Sequence, residues 1–211
     1  MRKAFSIAIL ATMVCGGVMA QGLIKAPGRA TTGPMAGPDS VTVNAFGGNL
    51  EVNSCTGCNF DELAGGYFVW GTNNCEQPGT TQWIGVPFIS KRTGTTRQIT
   101  AGIEIDPACL STGTQVTLAI YTDDCTTGPG APIASGRATV STGPCIPAKA
   151  RVATNLTLGI RYWVVATTTA APAQANLSAV WYASNQAEIG GNVSNGGWFF
   201  FSGLVPSFSV D

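Results

Sequence analysis

Glu104 and Asp106 stand two residues apart in Gly102-Ile103-Glu104-Ile105-Asp106, a spacing that puts both carboxylates on one face of a strand. Such a pair is the most serious catalytic candidate in the chain, because glycoside hydrolysis needs two carboxyl groups and nothing else. The 211 residues include no histidine, which removes the commonest general base and metal ligand and rules out Ser-His-Asp and Cys-His arrangements. Ser90-Lys91 are neighbours on a strand end, so their side chains point to opposite faces and cannot work as a dyad. Asp123-Asp124, ahead of Thr126 and Gly128, offer oxygens of the kind calcium takes. Cys125 interrupts them and the regular spacing of a calcium loop is missing, so the expectation is an ordinary turn opened by aspartate. Cys55-Thr56-Gly57-Cys58 has a metal or redox spacing, but one such pair without histidine makes a poor zinc site, and no strand-to-helix context supports a redox motif. No metal, no cofactor and no enzymatic activity are expected.

Binding chemistry rests on aromatic residues: Tyr67, Trp70, Trp83, Trp163, Trp181, Tyr182, Trp198 and the run Phe199-Phe200-Phe201. Tryptophan and tyrosine stack apolar ring faces on sugars while their polar edges hydrogen-bond, yet most such residues in a sandwich belong to the core. Adjacent strand residues face opposite ways, so one of Trp181 and Tyr182 points out, and the same alternation runs through Trp198 to Phe201. Tyr182, Phe199 and Phe201 are the ligand-binding candidates.

The first twenty residues set the compartment. Arg2-Lys3, the apolar run Ala4 to Val14 and Val18-Met19-Ala20 before Gln21 read as a signal peptide over residues 1–20. That run is too short to span a bilayer and no longer one follows, so no integral membrane span is expected in the mature chain. The localisation expected is secreted or extracellular, with periplasm and cell surface as variants. Cys15 lacks the small residue before it, and the leucine-like residue three before it, that lipidation favours. Removing the signal leaves nine basic against eleven acidic residues, scattered rather than striped, so nucleic acid is not an expected partner. The six remaining cysteines, Cys55, Cys58, Cys75, Cys109, Cys125 and Cys145, form an even set that reads as three disulfides in an oxidising compartment. Cys125–Cys145, flanking a segment able to leave and return as one strand, is the expected pair. The other four pair as Cys55–Cys58 with Cys75–Cys109, or in a crossed form.

These residues have to be positioned by strands. Ile99, Ala101, Ile103 and Ile105 alternate with Thr100, Gly102, Glu104 and Asp106, and Val116-Leu118-Ile120, Tyr162-Val164-Ala166 and Leu177-Ala179-Trp181 repeat the design. This is the period of half-buried strands. By it, Glu104 and Asp106 read as solvent-facing acids on an amphipathic strand. Turn clusters such as Gly128-Pro129-Gly130 and Gly143-Pro144 separate the runs, and no helical stripe of useful length appears. The fold class expected is all-β: an antiparallel two-sheet β-sandwich, jelly-roll-like and disulfide-stabilised, over residues 41–211. Residues 21–40, rich in proline and glycine, read as a flexible arm.

Two resemblances bear on function. Glu104-x-Asp106 resembles the Glu-x-Asp-x-x-Glu signature of laminarinase-type glycoside hydrolases, whose fold is also a jelly roll. The last glutamate of that signature, its acid, is here Cys109, and Pro107 breaks the strand between. More of the chain is covered by Gln115-Val116-Thr117-Leu118-Ala119-Ile120-Tyr121-Thr122-Asp123, Gly128-Pro129-Gly130, Leu158-Gly159-Ile160-Arg161-Tyr162-Trp163-Val164-Val165, Val180-Trp181-Tyr182 and Trp198-Phe199-Phe200-Phe201-Ser202-Gly203. In this order they resemble the bacterial exported jelly-roll domains of the "choice-of-anchor" type. The resemblance covers about residues 66–211, implies a sandwich in an extracellular setting and carries no catalytic signature. The expected function is surface or extracellular binding, with polysaccharide or a surface protein as partner. The alternatives are a carbohydrate-active enzyme using Glu104 and Asp106, and a self-associating surface-layer protein.

Overall fold

The computed structural model describes residues 25–26, 45–48, 65–109, 111–125, 128–142, 146–183, 191–194, 197–201 and 205–211. The stretch read as a signal peptide, most of the stretch read as an arm, Cys55, Cys58 and Cys145 lie outside these residues. The strands, in chain order, are β1 (Lys25–Ala26), β2 (Gly47–Gly48), β3 (Gly66–Trp70), β4 (Trp83–Ile89), β5 (Gly94–Thr95), β6 (Gln98–Ala101), β7 (Ile103–Ile105) and β8 (Gln115–Asp123). They continue with β9 (Pro129–Thr139), β10 (Ala148–Arg151), β11 (Asn155–Leu156), β12 (Arg161–Thr167), β13 (Ser178–Tyr182), β14 (Gly191–Ser194), β15 (Trp198–Phe201) and β16 (Phe208–Val210). A single helical turn, α1 (Pro172–Ala175), precedes β13; it starts on a proline, whose fixed φ and missing N–H suit the first helical position, and is too short to show a stripe in sequence.

Period-2 alternation builds two layers. One is a six-stranded antiparallel sheet in the order β15-β14-β4-β12-β8-β9. The other consists of two four-stranded sheets, β1-β3-β13-β7 and β10-β6-β16-β2, joined end to end. The joint lies at Gly102 between β6 and β7, whose N–H donates to the Ser207 carbonyl and whose carbonyl accepts from the Tyr182 N–H. A two-stranded ladder, β11-β5, forms a small sheet of its own, and its Leu156 packs into the core. β10 also runs against β9, so closely that a Cβ at Gly136 would collide with the Arg151 carbonyl oxygen.

The inward side chains meet in one core. Ile84, Val86, Val116, Leu118, Ile120 and Val164 from the first layer pack with Tyr67, Val69, Ile99, Ile103, Trp181 and Val210 from the second. Each fully buried aliphatic side chain is worth about 1.5–3 kcal/mol of transfer free energy, and cutting one to alanine costs about 2–5 kcal/mol once the cavity is counted. The alternation of Ile99, Ala101, Ile103 and Ile105 runs into this core as the sequence predicts, although Gly102 divides the run between two ladders. Inside the stretch read as an arm, Lys25–Ala26 pair antiparallel with β3 at Tyr67 and Gly66.

One expectation fails on the opposite side of the same strands. Glu104 is 0% and Asp106 6% exposed, so neither faces solvent. They do share a face, but that face of the second layer is itself covered, and Phe68, Trp70, Val180 and Tyr182 form a second apolar cluster on it.

Candidate functional site

The residues proposed to bind ligand from sequence part company in the structure. Trp181 turns inward and donates its indole N–H to the Ser207 carbonyl at 2.8 Å. Tyr182 turns outward as alternation requires, yet it is 2% exposed, buried with Phe68 and Trp70, and cannot serve as a stacking platform. Phe199 is 43% exposed and its neighbour Phe200 67%. Both rings are open because β15 ends the sheet and has a hydrogen-bonded neighbour, β14, on one side. For Phe201 the structure describes the backbone within β15; its side chain lies outside the description.

The outer face of the six-stranded sheet carries an aromatic surface that none of the three candidates marks. Register brings Pro87, Trp163 and Tyr121 into one row across β4, β12 and β8, since residues directly opposite share a face. Arg161 and Asp123 stand at the same end of that face, and Trp83 and Trp198 lie in line with Ser194 farther along. Gly85 forms the floor. A Cβ there would lie 3.0 Å from Pro129 Cγ, 3.4 Å from Trp198 Cζ3 and 3.6 Å from Trp163 Cε3, so glycine lets three side chains close over the strand. Trp163 is buried beneath this layer, whereas Trp83, Tyr121 and Trp198 are half-exposed and Phe200 and Ile89 are exposed.

Polar groups fix the surface in place. Asp123 Oδ1 accepts the Trp163 indole N–H at 2.8 Å, and Oδ2 accepts from Arg161 Nη2 at 2.7 Å. The Arg161 hydrogen bond is the main cause that holds the Asp123 carboxyl below the usual aspartate value; burial opposes it, and the Trp163 N–H assists. Burial pushes the Tyr121 hydroxyl above the usual tyrosine value. Trp83 donates its indole N–H to Thr168 Oγ1 at 3.1 Å. The face thus carries aromatic rings along its length with one charged pair at its end, a chemistry suited to stacking on a polyhydroxylated ligand.

Asp123 and Asp124 do not converge on a common point. Asp124 Oδ1 accepts the Gly128 N–H at 3.0 Å, as an aspartate opening a turn does. Cys125, next along, is an exposed free thiol at φ 62 and is not in the bridge expected with Cys145. Cys145, its expected partner, lies outside the described residues. Asp123 pairs with Pro129 at the tip of the β8–β9 hairpin, which leaves Cys125 in the exposed turn. Cys75 and Cys109 do pair, with Cα atoms 6.0 Å apart, one of the alternatives open from sequence.

That bridge ties the loop after β3 to the turn after β7 and sets Glu76 beside Asp106. Oxygens of the two carboxylates and the Cys109 sulfur lie within 4.8 Å of one another. The carboxylates are closer than the roughly 5–5.5 Å of a retaining glycosidase, and much closer than the inverting spacing of about 6.5–9.5 Å. Burial comes first, and the Asp106 carboxyl second, in pushing the Glu76 carboxyl above the usual glutamate value.

No family model matches this chain, and no curated protein matches it. The residues missed in sequence, Trp163, Arg161, Trp198 and Phe200, had a usable signal: Arg161-x-Trp163 and Tyr121-x-Asp123 each place a polar and an aromatic residue on the outward face of a strand.

Proposed function

We propose that this protein is an exported, non-catalytic β-sandwich that binds an extracellular surface, with polysaccharide as the ligand class. The observation that carries the reading is the aromatic outer face of the six-stranded sheet: Tyr121 and the buried Trp163 lie next to the Asp123–Arg161 pair at one end, and Trp83, Trp198 and Phe200 extend the face toward β15. Aromatic rings cover the apolar faces of sugars, and a fixed carboxylate–guanidinium pair offers acceptors and donors to their hydroxyls. The amino-terminal export signal and the strand motifs resembling "choice-of-anchor" domains agree with such a role. Incubating the purified mature chain with insoluble glycans and cell-wall fractions, and measuring its depletion from solution, tests the proposal. Retention on a glycan, reduced in a Trp198→Ala, Phe200→Ala double variant, supports it. No retention on any of these materials overturns the glycan reading and leaves a protein partner.

A second reading has its own observation. Among the described residues β15 is an edge strand with Phe199 and Phe200 exposed on its opposite faces, and open apolar edges invite strand addition from another chain. Size exclusion over a wide concentration range separates the readings: a strictly monomeric elution removes self-association.

A further inference from the structure

Among the described residues four buried side-chain atoms have no hydrogen-bond partner: Trp70 Nε1, Gln77 Oε1, Asp106 Oδ2 and Ser178 Oγ. Buried polar atoms are nearly always satisfied, and orphans of this kind mark places where water or an ion belongs. These four are not scattered. Trp70 is register partner to Ser178, and the Ser178 carbonyl accepts the Asp106 N–H at 3.0 Å, so the three residues form one row across β3, β13 and the end of β7. Alternation turns all three side chains to the outer face, away from the core that holds Val69, Ala179 and Ile105. The fourth, Gln77, follows Glu76 on the loop that the Cys75–Cys109 bridge fastens over this end of the sheet.

We propose that Glu76 and Asp106 are the anionic ligands of a divalent-cation site, of the calcium type, at this clasp. The Cys109 sulfur is committed to the bridge, so the donors are oxygens, which selects a hard cation over a thiophilic one. Two carboxylates held within 4.8 Å repel unless a proton or a cation comes between them. A shared proton satisfies the carboxylate pair alone. A cation taking six to eight oxygens also gives employment to the Ser178 hydroxyl, the Gln77 amide oxygen and intervening water, and that water supplies the acceptor missing for the Trp70 N–H. Asp106 Oδ1 is already engaged by the Ala108 N–H at 3.0 Å, which fixes the carboxylate and leaves Oδ2 as its ligating atom. With two charged ligands, one of them on an exposed residue, affinity falls in the weak range of extracellular calcium modules, about 0.1–1 mM.

Thermal unfolding of the mature chain and of Glu76→Gln, each in EDTA and in about 10 mM CaCl2, decides the matter. Calcium is expected to raise the wild-type midpoint by about 3 °C at a tenfold excess over Kd. Glu76→Gln, a change at an exposed side chain, is expected to fold, to melt no lower than wild type in EDTA, and to lose the calcium response. Titration calorimetry with CaCl2 gives a second readout independent of melting. A wild-type midpoint and calorimetric trace indifferent to calcium, or a Glu76→Gln variant that responds as wild type does, overturns the proposal. The combination of a stabilised Glu76→Gln and no calcium effect on either chain identifies a proton-sharing acid pair instead.

Discussion

The indole N–H of Trp163 reaches from β12 to Asp123 Oδ1 at the end of β8, at 2.8 Å, while the second carboxylate oxygen is held by Arg161. One acidic side chain thus serves a buried tryptophan and a charge open to solvent, and it links the interior of the aromatic face to its rim.

Removing that carboxylate strands the Trp163 N–H in a buried position. Asp123→Ala is expected to lower stability by about 1–3 kcal/mol, the cost of an unsatisfied buried donor. Asp123→Asn keeps an acceptor and is expected to cost less; urea denaturation of the two variants gives the difference. Arg161→Ala removes an ion pair whose guanidinium is half-exposed, and is expected to change stability by less than about 1 kcal/mol.

Acid acts on the two carboxyl groups in opposite senses. Glu76 has a raised folded-state pKa, so its favourable contribution is full below the unfolded value and fades as pH rises through the folded one. Asp123 has a lowered folded-state pKa, so its contribution is present above the unfolded value and disappears as pH falls through the folded one. In EDTA, stability is therefore expected to rise from neutral pH into mild acid, then drop at lower pH. Melting midpoints across a pH series in wild type and Glu76→Gln check this: the mild-acid rise belongs to Glu76 and is absent from the variant.

Thiol chemistry distinguishes the cysteines. A maleimide added to the native protein without reductant is expected to label Cys125, because its thiol is exposed and unbonded. Mass mapping that finds Cys125 blocked and joined to another cysteine refutes this. Replacing Cys75 and Cys109 together by serine opens a bridge spanning 34 residues, for which chain entropy predicts a loss of about 3–4 kcal/mol.

Phe200 is open to solvent, so Phe200→Ala is expected to leave the melting midpoint within about 2 °C of wild type. Its retention on any glycan that holds the wild type should fall at least several-fold. A variant that binds as wild type does places the contact elsewhere on the molecule.

Much of this architecture is readable from alternation alone. Val116, Leu118 and Ile120 against Tyr162, Val164 and Ala166 specify two neighbouring strands and the face each buries. What alternation cannot reveal is whether the second face of a strand is also covered. Tyr182 and Glu104 point away from the core, as their positions require, and are buried all the same, Tyr182 in a second apolar cluster, a tertiary fact without a period-2 signature. The aromatic face fails to announce itself for a related reason. Trp163 and Trp198 come together over Gly85 from β12 and β15, strands that are separated by β4 and β14 in the sheet, and their meeting depends on a missing side chain. Cysteine spacing is weaker still: Cys125 sits free in an exposed turn, and Cys75 meets Cys109 across 34 residues because the loop after β3 reaches the turn after β7.

β16 lies between β6 and β2, and its last residues hydrogen-bond to both Phe46 and Gln98. β16 is therefore an interior strand of its sheet, flanked by two strands that precede it in the chain. Until residues 205–211 emerge, β2 and β6 have no template between them, and their unpaired edges are open to pairing with a neighbouring chain. Closure of the second layer is then a late, long-range event, slow by the standards of local topology. A nascent chain of this design gains from being kept unfolded until residues 205–211 are available.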